Sequence, residues 1–143
     1  MTSGWAGDTG TALDRFPEPP CARLLGYEFL SVDREAGSVR VRFRAGEEML
    51  NPAGTVQGGF LTAMLDDAMG SMIVVLTDAQ KRPASVDLHV QFLRPARVGA
   101  FVAEARVMHM TKSTAFTEAT LRDEAGEAVA TARQTQRLYA MEA

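Results

Sequence analysis

The length, composition and charge of the chain are those of a one-domain globular protein. Its 143 residues are 46% hydrophobic and 23% charged, enough apolar material for one sizeable core. The net charge of −3 gives no electrostatic basis for binding nucleic acid or an anionic membrane. The single cysteine, Cys21, excludes an intrachain disulfide and suits a reducing cytoplasm. Residues 1–15 are polar and contain Asp8 and Asp14, so we expect no secretory signal and a cytoplasmic location.

The chain opens with a predicted arm, residues 1–20, which is expected to be loosely held. Three prolines interrupt any regular helix across its end: Pro17, Pro19 and Pro20. A single domain is predicted for residues 21–143. It begins with a short helix ended by Gly26 and two antiparallel strands joined by a turn, at residues 21–25, 27–32 and 38–44.

The longest helix candidate lies within the apolar stretch at residues 51–76. Its apolar residues go almost all the way round, so the helix must be covered on every side. The two carboxylates in it favour a buried helix over a membrane span. Gly58 and Gly59 open the helix and leave the backbone N–H groups of its first turn accessible to an anion or a polarised carbonyl. Further in stand Asp66 and Asp67, and because a buried charge is costly unless it is paired or used, one of them is predicted to carry chemistry.

Four more strands are predicted after the helix, following a polar break at residues 78–83. They are separated by Pro95, by a turn at residues 111–113 and by Gly126. Their predicted ranges are 84–93, 101–110, 114–122 and 128–139. Two strands, one long helix and four strands indicate an α+β fold in which the helix packs on one face of an antiparallel sheet.

Simple alternation assigns the faces of the first of these four strands. It places Val86 and Leu88 on one face, and Ser85 and Asp87 on the other. Ser85 is therefore predicted to stand on the polar face of its strand.

The residues around the start of the long helix resemble a known family. Asn51, Gly54-Thr55, Gln57-Gly58-Gly59 and Asp66 are similar to the signature of hotdog-fold thioesterases of the phenylacetyl-CoA thioesterase type, N-x-x-G-T-x-H-G-G followed by a helix with a catalytic acid. Two later stretches resemble the same family: residues 85–96 and residues 112–116. The resemblance extends from about residue 25 to about residue 138. It implies a hotdog fold, in which an antiparallel sheet wraps around one long central helix, and acyl-CoA thioesterase activity.

The resemblance also implies roles for individual residues. The Gly58 N–H, at a helix N-terminus, would donate to the oxygen on which negative charge develops. Asn51 would be a second donor or an orienting group. Asp66 would attack the carbonyl or activate a water, and Ser85 would hold that water. Further substrate contacts are expected from the helix start and from one turn: Gln57, Gly59, Lys112, Ser113 and Thr114.

The chain departs from the family signature at Gln57, where the family usually has histidine. Glutamine can still donate and accept hydrogen bonds, so two interpretations stay open: a working enzyme with altered rate or substrate, and a catalytically silent acyl-CoA-binding homologue. A hotdog dehydratase would need a histidine and an acid at other motif positions, and the sequence does not show that pattern. A purely structural dimer would leave Asp66 unexplained.

The spacing along the helix has a consequence for assembly. Gly58 and Asp66 are eight residues apart, or roughly 12 Å of helical rise, so one carbonyl group cannot touch both in the same chain. If both are catalytic, the donor and the carboxylate come from different chains. This predicts a homodimer with shared active sites, or a dimer of dimers, in agreement with the architecture that the resemblance implies.

No metal or redox cofactor is predicted. The two histidines, His89 and His109, share no metal-ligand spacing with each other or with Cys21. Coenzyme A would enter only as part of the substrate. Arg94, Arg97 and Lys112 could meet its phosphates, although solvated surface charge is the simpler interpretation of each. The residues do not indicate which acyl group is preferred.

Overall fold

The computed structural model describes residues 8–141 of the chain. The α-helices are Pro20–Leu24 (α1) and Gly58–Leu76 (α2), and the 3-10 helices are Ala12–Arg15 and Glu47–Met49. The strands are Glu28–Asp33 (β1), Ser38–Ala45 (β2), Lys81–Phe92 (β3), Gly99–Met110 (β4), Thr114–Arg122 (β5) and Ala128–Ala140 (β6).

The six strands form one antiparallel sheet in the order β1-β2-β4-β5-β6-β3. The chain reaches β3 directly after α2, and β3 lies at the far edge of the sheet beside β6. The long helix packs against β2, β3, β4, β5 and β6. A single helix wrapped by one antiparallel sheet is the hotdog layout, so the predicted fold is confirmed.

The helix α2 is the centre of the hydrophobic core. Nine of its 19 residues are buried, and they pack against apolar side chains that alternate along the strands. By length and hydropathy alone α2 would also qualify as a membrane span, a test that the core helix of a soluble protein passes equally well. In this fold its apolar surface is used to bind the sheet.

The segment before α1 is held more firmly than the sequence predicted. The Thr11 side chain accepts a hydrogen bond from the backbone N–H of Leu13 at the start of the 3-10 helix. Leu13 is only 1% exposed and belongs to the main core. The described part of the predicted arm is therefore packed against the domain rather than loosely held, whereas residues 1–7 lie outside the described residues.

Strand β3 starts three residues earlier than predicted. The polar run at residues 78–83 predicts a break, yet its last three residues belong to β3, and Pro83 is paired with Leu138 of β6. An edge strand accepts proline because one of its sides makes no ladder bonds. The position of β3 in the sheet, which no local pattern shows, decides this difference.

A β-bulge in β3 overturns the predicted face of Ser85. The register shifts between Ser85 and Asp87, which pair with Gln136 and Thr135, so that Val86 is an extra residue and is 64% exposed. Ser85 therefore faces the helix on the same side as Leu88. Simple alternation had placed Ser85 and Leu88 on opposite faces of the strand.

Candidate active site

Three side chains from distant parts of the chain meet on the helix-facing side of the sheet. Ser85 Oγ donates to Asp66 Oδ1 at 3.0 Å. Gln134 Nε2 donates to the same oxygen at 2.5 Å and to Ser85 Oγ at 2.8 Å. A carboxylate, a hydroxyl and an amide thus form a closed triangle of hydrogen bonds.

Each member of this triangle is placed by a different element. Asp66 lies two turns into α2, on a part of the helix that faces β3 and β6. The bulge at Val86 turns Ser85 inward, and β6 directs Gln134 inward by regular alternation with its neighbours. Asp66 and Ser85 were predicted as site residues, and the structure brings them together.

Gln134 was missed by the sequence analysis. It is 3% exposed and occupies the inward face of β6 together with a second glutamine, Gln136, which is 1% exposed. Two glutamines in line with Ala130 and Ala132 on an apolar strand face are a signal that could have been noticed, since a buried amide needs partners. The identity of those partners depends on the closed fold.

Asp67 faces a different environment from Asp66. Burial, followed by the charges of Asp66 and Glu18, raises the pKa of Asp67 to about 7. Its Oδ2 is buried and has no hydrogen-bond partner among residues 8–141. Asp66, and not Asp67, is therefore the carboxylate that contacts the hydroxyl and the amide.

At the start of α2, one of the two glycines is covered and the other is open. A Cβ added to Gly58 would lie 2.9 Å from Cζ of Phe92, whose ring rests over this position, whereas a Cβ on Gly59 would meet nothing within 4 Å. Gln57 stands at the N-cap position and makes no side-chain capping bond to the helix. Its exposed side chain is therefore not committed to holding the first turn.

Asn51 organises the loop that leads into α2. Its Oδ1 accepts from the backbone N–H groups of Ala53 and Thr55 at 3.0 and 3.2 Å. Its Nδ2 donates to Thr55 Oγ1 at 3.1 Å. Within one chain Asn51 is thus a turn residue, placed next to the N-terminus of the helix.

The turn between β4 and β5, which was predicted to contact substrate, is built by its own side chains. Thr111 Oγ1 accepts from the backbone N–H groups of Ser113 and Thr114. Ser113 O accepts from Leu138 N at 2.8 Å, which fastens the turn to β6. Within the described residues, the side chains of Lys112, Ser113 and Thr114 make no hydrogen bond to Asp66 or Ser85.

The outer face of the sheet carries exposed ion pairs in place of a convergent site. Arg106 Nε lies 2.6 Å from Glu118 Oε2 and Arg122 Nε lies 2.8 Å from Glu104 Oε1. Such pairs are solvated and contribute little. Residues 8–141 contain no cluster of three or more His, Cys, Asp or Glu side chains suited to a metal ion.

Known proteins with the same features are found by sequence and by structure. The family model described as the thioesterase superfamily matches residues 53–130. Human acyl-coenzyme A thioesterase 13 is 35% identical over 118 residues, which cover 81% of this chain and 83% of the human protein.

Two solved structures extend the comparison. A phenylacetic acid degradation-related protein of Ralstonia eutropha JMP134 superposes with a TM-score of 0.81 at 35% identity, covering 85% of this chain and 91% of that one. A hypothetical thioesterase of Streptococcus pneumoniae TIGR4, solved with coenzyme A, shares the fold with a TM-score of 0.73 at 18% identity, covering 82% of this chain and 88% of that one.

The fold and the matches to named thioesterases define the class of protein as a hotdog-fold thioester hydrolase. The sequence match extends over more than half of the chain. This chain belongs to the thioesterase superfamily.

Proposed function

We propose that this protein hydrolyses acyl-CoA thioesters and that Asp66 carries the reaction. The observation that supports this role most strongly is the placement of the Asp66 carboxylate, which is held by Ser85 and Gln134 on a largely apolar helix. The human relative named an acyl-coenzyme A thioesterase and the neighbour solved with coenzyme A support the choice of substrate class.

The proposed reaction has two halves. Asp66 attacks the thioester carbonyl or takes a proton from a water that attacks it, and negative charge develops on the carbonyl oxygen. A backbone N–H at the start of α2, that of Gly58, stabilises this charge with the helix dipole behind it. The C–S bond then breaks, and the CoA thiolate leaves and takes up a proton. When a water is the nucleophile, the free acid forms directly; when Asp66 is the nucleophile, an acyl–Asp66 anhydride forms, and water hydrolyses it to the free acid and restores the carboxylate. An acyl group passes to water, so this chemistry uses no metal and no redox cofactor.

The two halves of the site are proposed to come from two copies of the chain. Gly58 and Asp66 are separated by roughly 12 Å along α2. Ser85 lies in the first half of β3, and Phe92, whose ring covers Gly58, is the last residue of the strand. An antiparallel pairing of two β3 strands about a two-fold axis near residues 88 and 89 would bring Ser85 of each chain opposite Phe92 of its partner, and with it the partner's helix start.

The edge position of β3 supports this assembly. An edge strand presents unpaired backbone groups that can pair with another strand. Val86 is 64% and Phe92 is 54% exposed on this strand, and a second copy would cover them. We propose a homodimer with two shared sites, to which a further dimer can be added to form a dimer of dimers.

The location that we propose is the cytoplasm. The one cysteine, Cys21, is exposed and unpaired, which is compatible with a reducing compartment.

Replacing each of the two adjacent aspartates by asparagine tests the proposal. Asp66→Asn should remove nearly all turnover of acyl-CoA substrates, measured as release of free thiol across a panel of aliphatic and aromatic thioesters. Its melting temperature should be unchanged or higher, because a partly buried charge is removed. The matched control, Asp67→Asn, should retain most of the turnover. If Asp67→Asn is the inactive protein, the assignment of Asp66 is wrong.

A further inference from the structure

The hydrogen bonds of Gln134 have a fixed direction. Its Nε2 lies against two oxygens, Asp66 Oδ1 and Ser85 Oγ, and an amide nitrogen can only donate. The opposite orientation would place the amide oxygen against a carboxylate oxygen, two acceptors facing each other. Ser85 must therefore accept from Gln134 and send its own hydrogen to Asp66 Oδ1.

We propose that Gln134 is a positioning residue, whose amide determines which oxygen of Asp66 reacts and in which direction the Ser85 hydroxyl points. The inference rests on the proposed role of Asp66. Oδ1 accepts two hydrogen bonds and is turned toward the protein, so Oδ2 is the oxygen that meets the water or the thioester. Gln134 acts through Asp66 and Ser85 and does not itself touch the reacting atoms.

The same arrangement limits what Ser85 can do. Its only hydrogen is given to Asp66, and one of its two lone pairs accepts from Gln134. One lone pair remains, so Ser85 can accept a hydrogen bond from a water but cannot donate to a developing oxyanion. The oxyanion donors must then come from elsewhere, in agreement with a backbone N–H at the start of a helix.

Stability does not account for the amide at position 134. The side chain is 3% exposed, and its Oε1 has no hydrogen-bond partner among residues 8–141. An unpaired buried acceptor destabilises a fold. The amide is thus placed at a cost to stability and makes both of its side-chain bonds within the candidate active site.

Gln136, two residues further along β6, provides the contrast. Its Nε2 donates to Met69 O of α2 at 3.3 Å, and its Oε1 accepts from Thr117 Oγ1 at 3.2 Å. It is buried on the same strand face and pairs with Ser85 in the β-ladder, but its side chain is hydrogen-bonded at both ends to other groups and makes no hydrogen bond to Asp66 or Ser85. Gln136 is therefore a matched control with a purely structural role.

The test compares the Gln134→Met and Gln136→Met proteins through kcat and KM for the best acyl-CoA substrate. Gln134→Met should lower kcat about 10- to 100-fold, as expected for the loss of a hydrogen bond to a charged group, with KM within about twofold. Gln136→Met should lower the melting temperature and leave kcat within about twofold of the wild type.

A second variant, Gln134→Glu, completes the experiment, and the Asp66→Asn protein separates a failure of this inference from a failure of the proposed function. Gln134→Glu has nearly the same shape, so it keeps the test valid if Gln134→Met fails to fold; at pH 8 it should lose more activity than Gln134→Met because two carboxylates then face each other. An unchanged kcat in the Gln134 variants, or an equal loss of kcat in Gln136→Met, would overturn the inference. An active Asp66→Asn protein would instead overturn the proposed function of the site.

Discussion

Asp66 and Asp67 are adjacent in sequence but differ in environment. About 100° of rotation around α2 separates them. Asp66 meets two donors, Ser85 and Gln134, whereas Asp67 is buried beside other acidic groups and keeps one oxygen without a partner in the described chain. The same side chain is therefore suited to chemistry at one position and destabilises the folded protein at the next.

The raised pKa of Asp67 predicts how stability changes with pH. The value is about 7 in the folded protein and about 3.9 in an unfolded chain. Between these values the folded state holds a proton that the unfolded state has released, so the free energy of unfolding falls as pH rises from about 4 to about 7 and stays low above that.

We therefore expect Asp67→Asn to be more stable than the wild type at pH 8, by up to about 4 kcal/mol. The advantage should shrink below pH 7 and vanish near pH 4. Urea unfolding at a series of pH values measures it. A difference between the two proteins that is the same at all pH values would show that Asp67 does not titrate in this way.

Gln57 occupies the N-cap position of α2 without capping the helix. Its side chain does not cap α2, so exchanging it should not disturb the helix. Gln57→His should keep or raise kcat/KM for the best substrate by up to about tenfold, or roughly 1.4 kcal/mol. An inactive wild type that gains activity through this change would support the silent-homologue interpretation, and a large loss would show that Gln57 has its own role.

At the scale of elements, the start of α2 and the end of β3 form one unit. The ring of Phe92 lies over Gly58 and occupies the space that a side chain there would need. Because the ring is half exposed, it can move aside. The absence of a Cβ at Gly58 thus leaves room for an aromatic ring next to the proposed oxyanion donor.

This contact predicts different effects at the two glycines. In Gly58→Ala the methyl group should push the Phe92 ring away and crowd the Gly58 N–H. Because the N–H itself remains, kcat/KM should fall by at most the roughly 100-fold effect of losing an oxyanion donor. The melting temperature should change by only a few degrees, because the displaced ring is at the surface. Steady-state kinetics and thermal unfolding measure both quantities.

Gly59→Ala is the matched change, since a Cβ there has open space within the chain. Its loss of kcat/KM should be clearly smaller than that of Gly58→Ala. Equal losses would indicate that the space in front of the helix, and not the contact at Gly58, is what matters.

At the scale of the whole molecule, one chain contains both halves of the proposed site but holds them apart. The carboxylate half lies at the edge strand β3, open to a second copy. A shared site predicts complementation between damaged chains. When Asp66→Asn and Asn51→Ala chains are unfolded together and refolded, about half of the dimers are mixed, and one site in each mixed dimer is free of both lesions. Activity should return to roughly a quarter of the wild-type value.

The structure supplies a control for this experiment. Asp66 and Ser85 meet within one chain, so mixing Asp66→Asn with Ser85→Ala chains leaves a lesion in every site and should give no recovery. Mixtures of Asp66→Asn and Asn51→Ala that remain inactive, although native mass spectrometry shows heterodimers, would contradict the shared site.

The order of the elements, the central helix and most residues of the candidate site follow from the amino-acid sequence. These features depend on patterns within a few residues: apolar residues all round one helix, alternation along the strands, and two glycines at a fixed spacing before Asp66. The strands were located to within a few residues because short-range periodicity reports burial directly.

The other features of the site and of the core depend on contacts between segments that are distant in sequence. Gln134 joins the site because β6 closes next to β3, and Ser85 turns inward because one extra residue, Val86, bulges out of a ladder whose partner lies some 50 residues away. Leu13 enters the core, and Pro83 lies within a strand, because distant segments of the chain pack or pair with them. Contacts between distant segments depend on the order of the strands and on how the sheet closes around the helix. A pattern confined to neighbouring residues does not determine that order or the register of the strands.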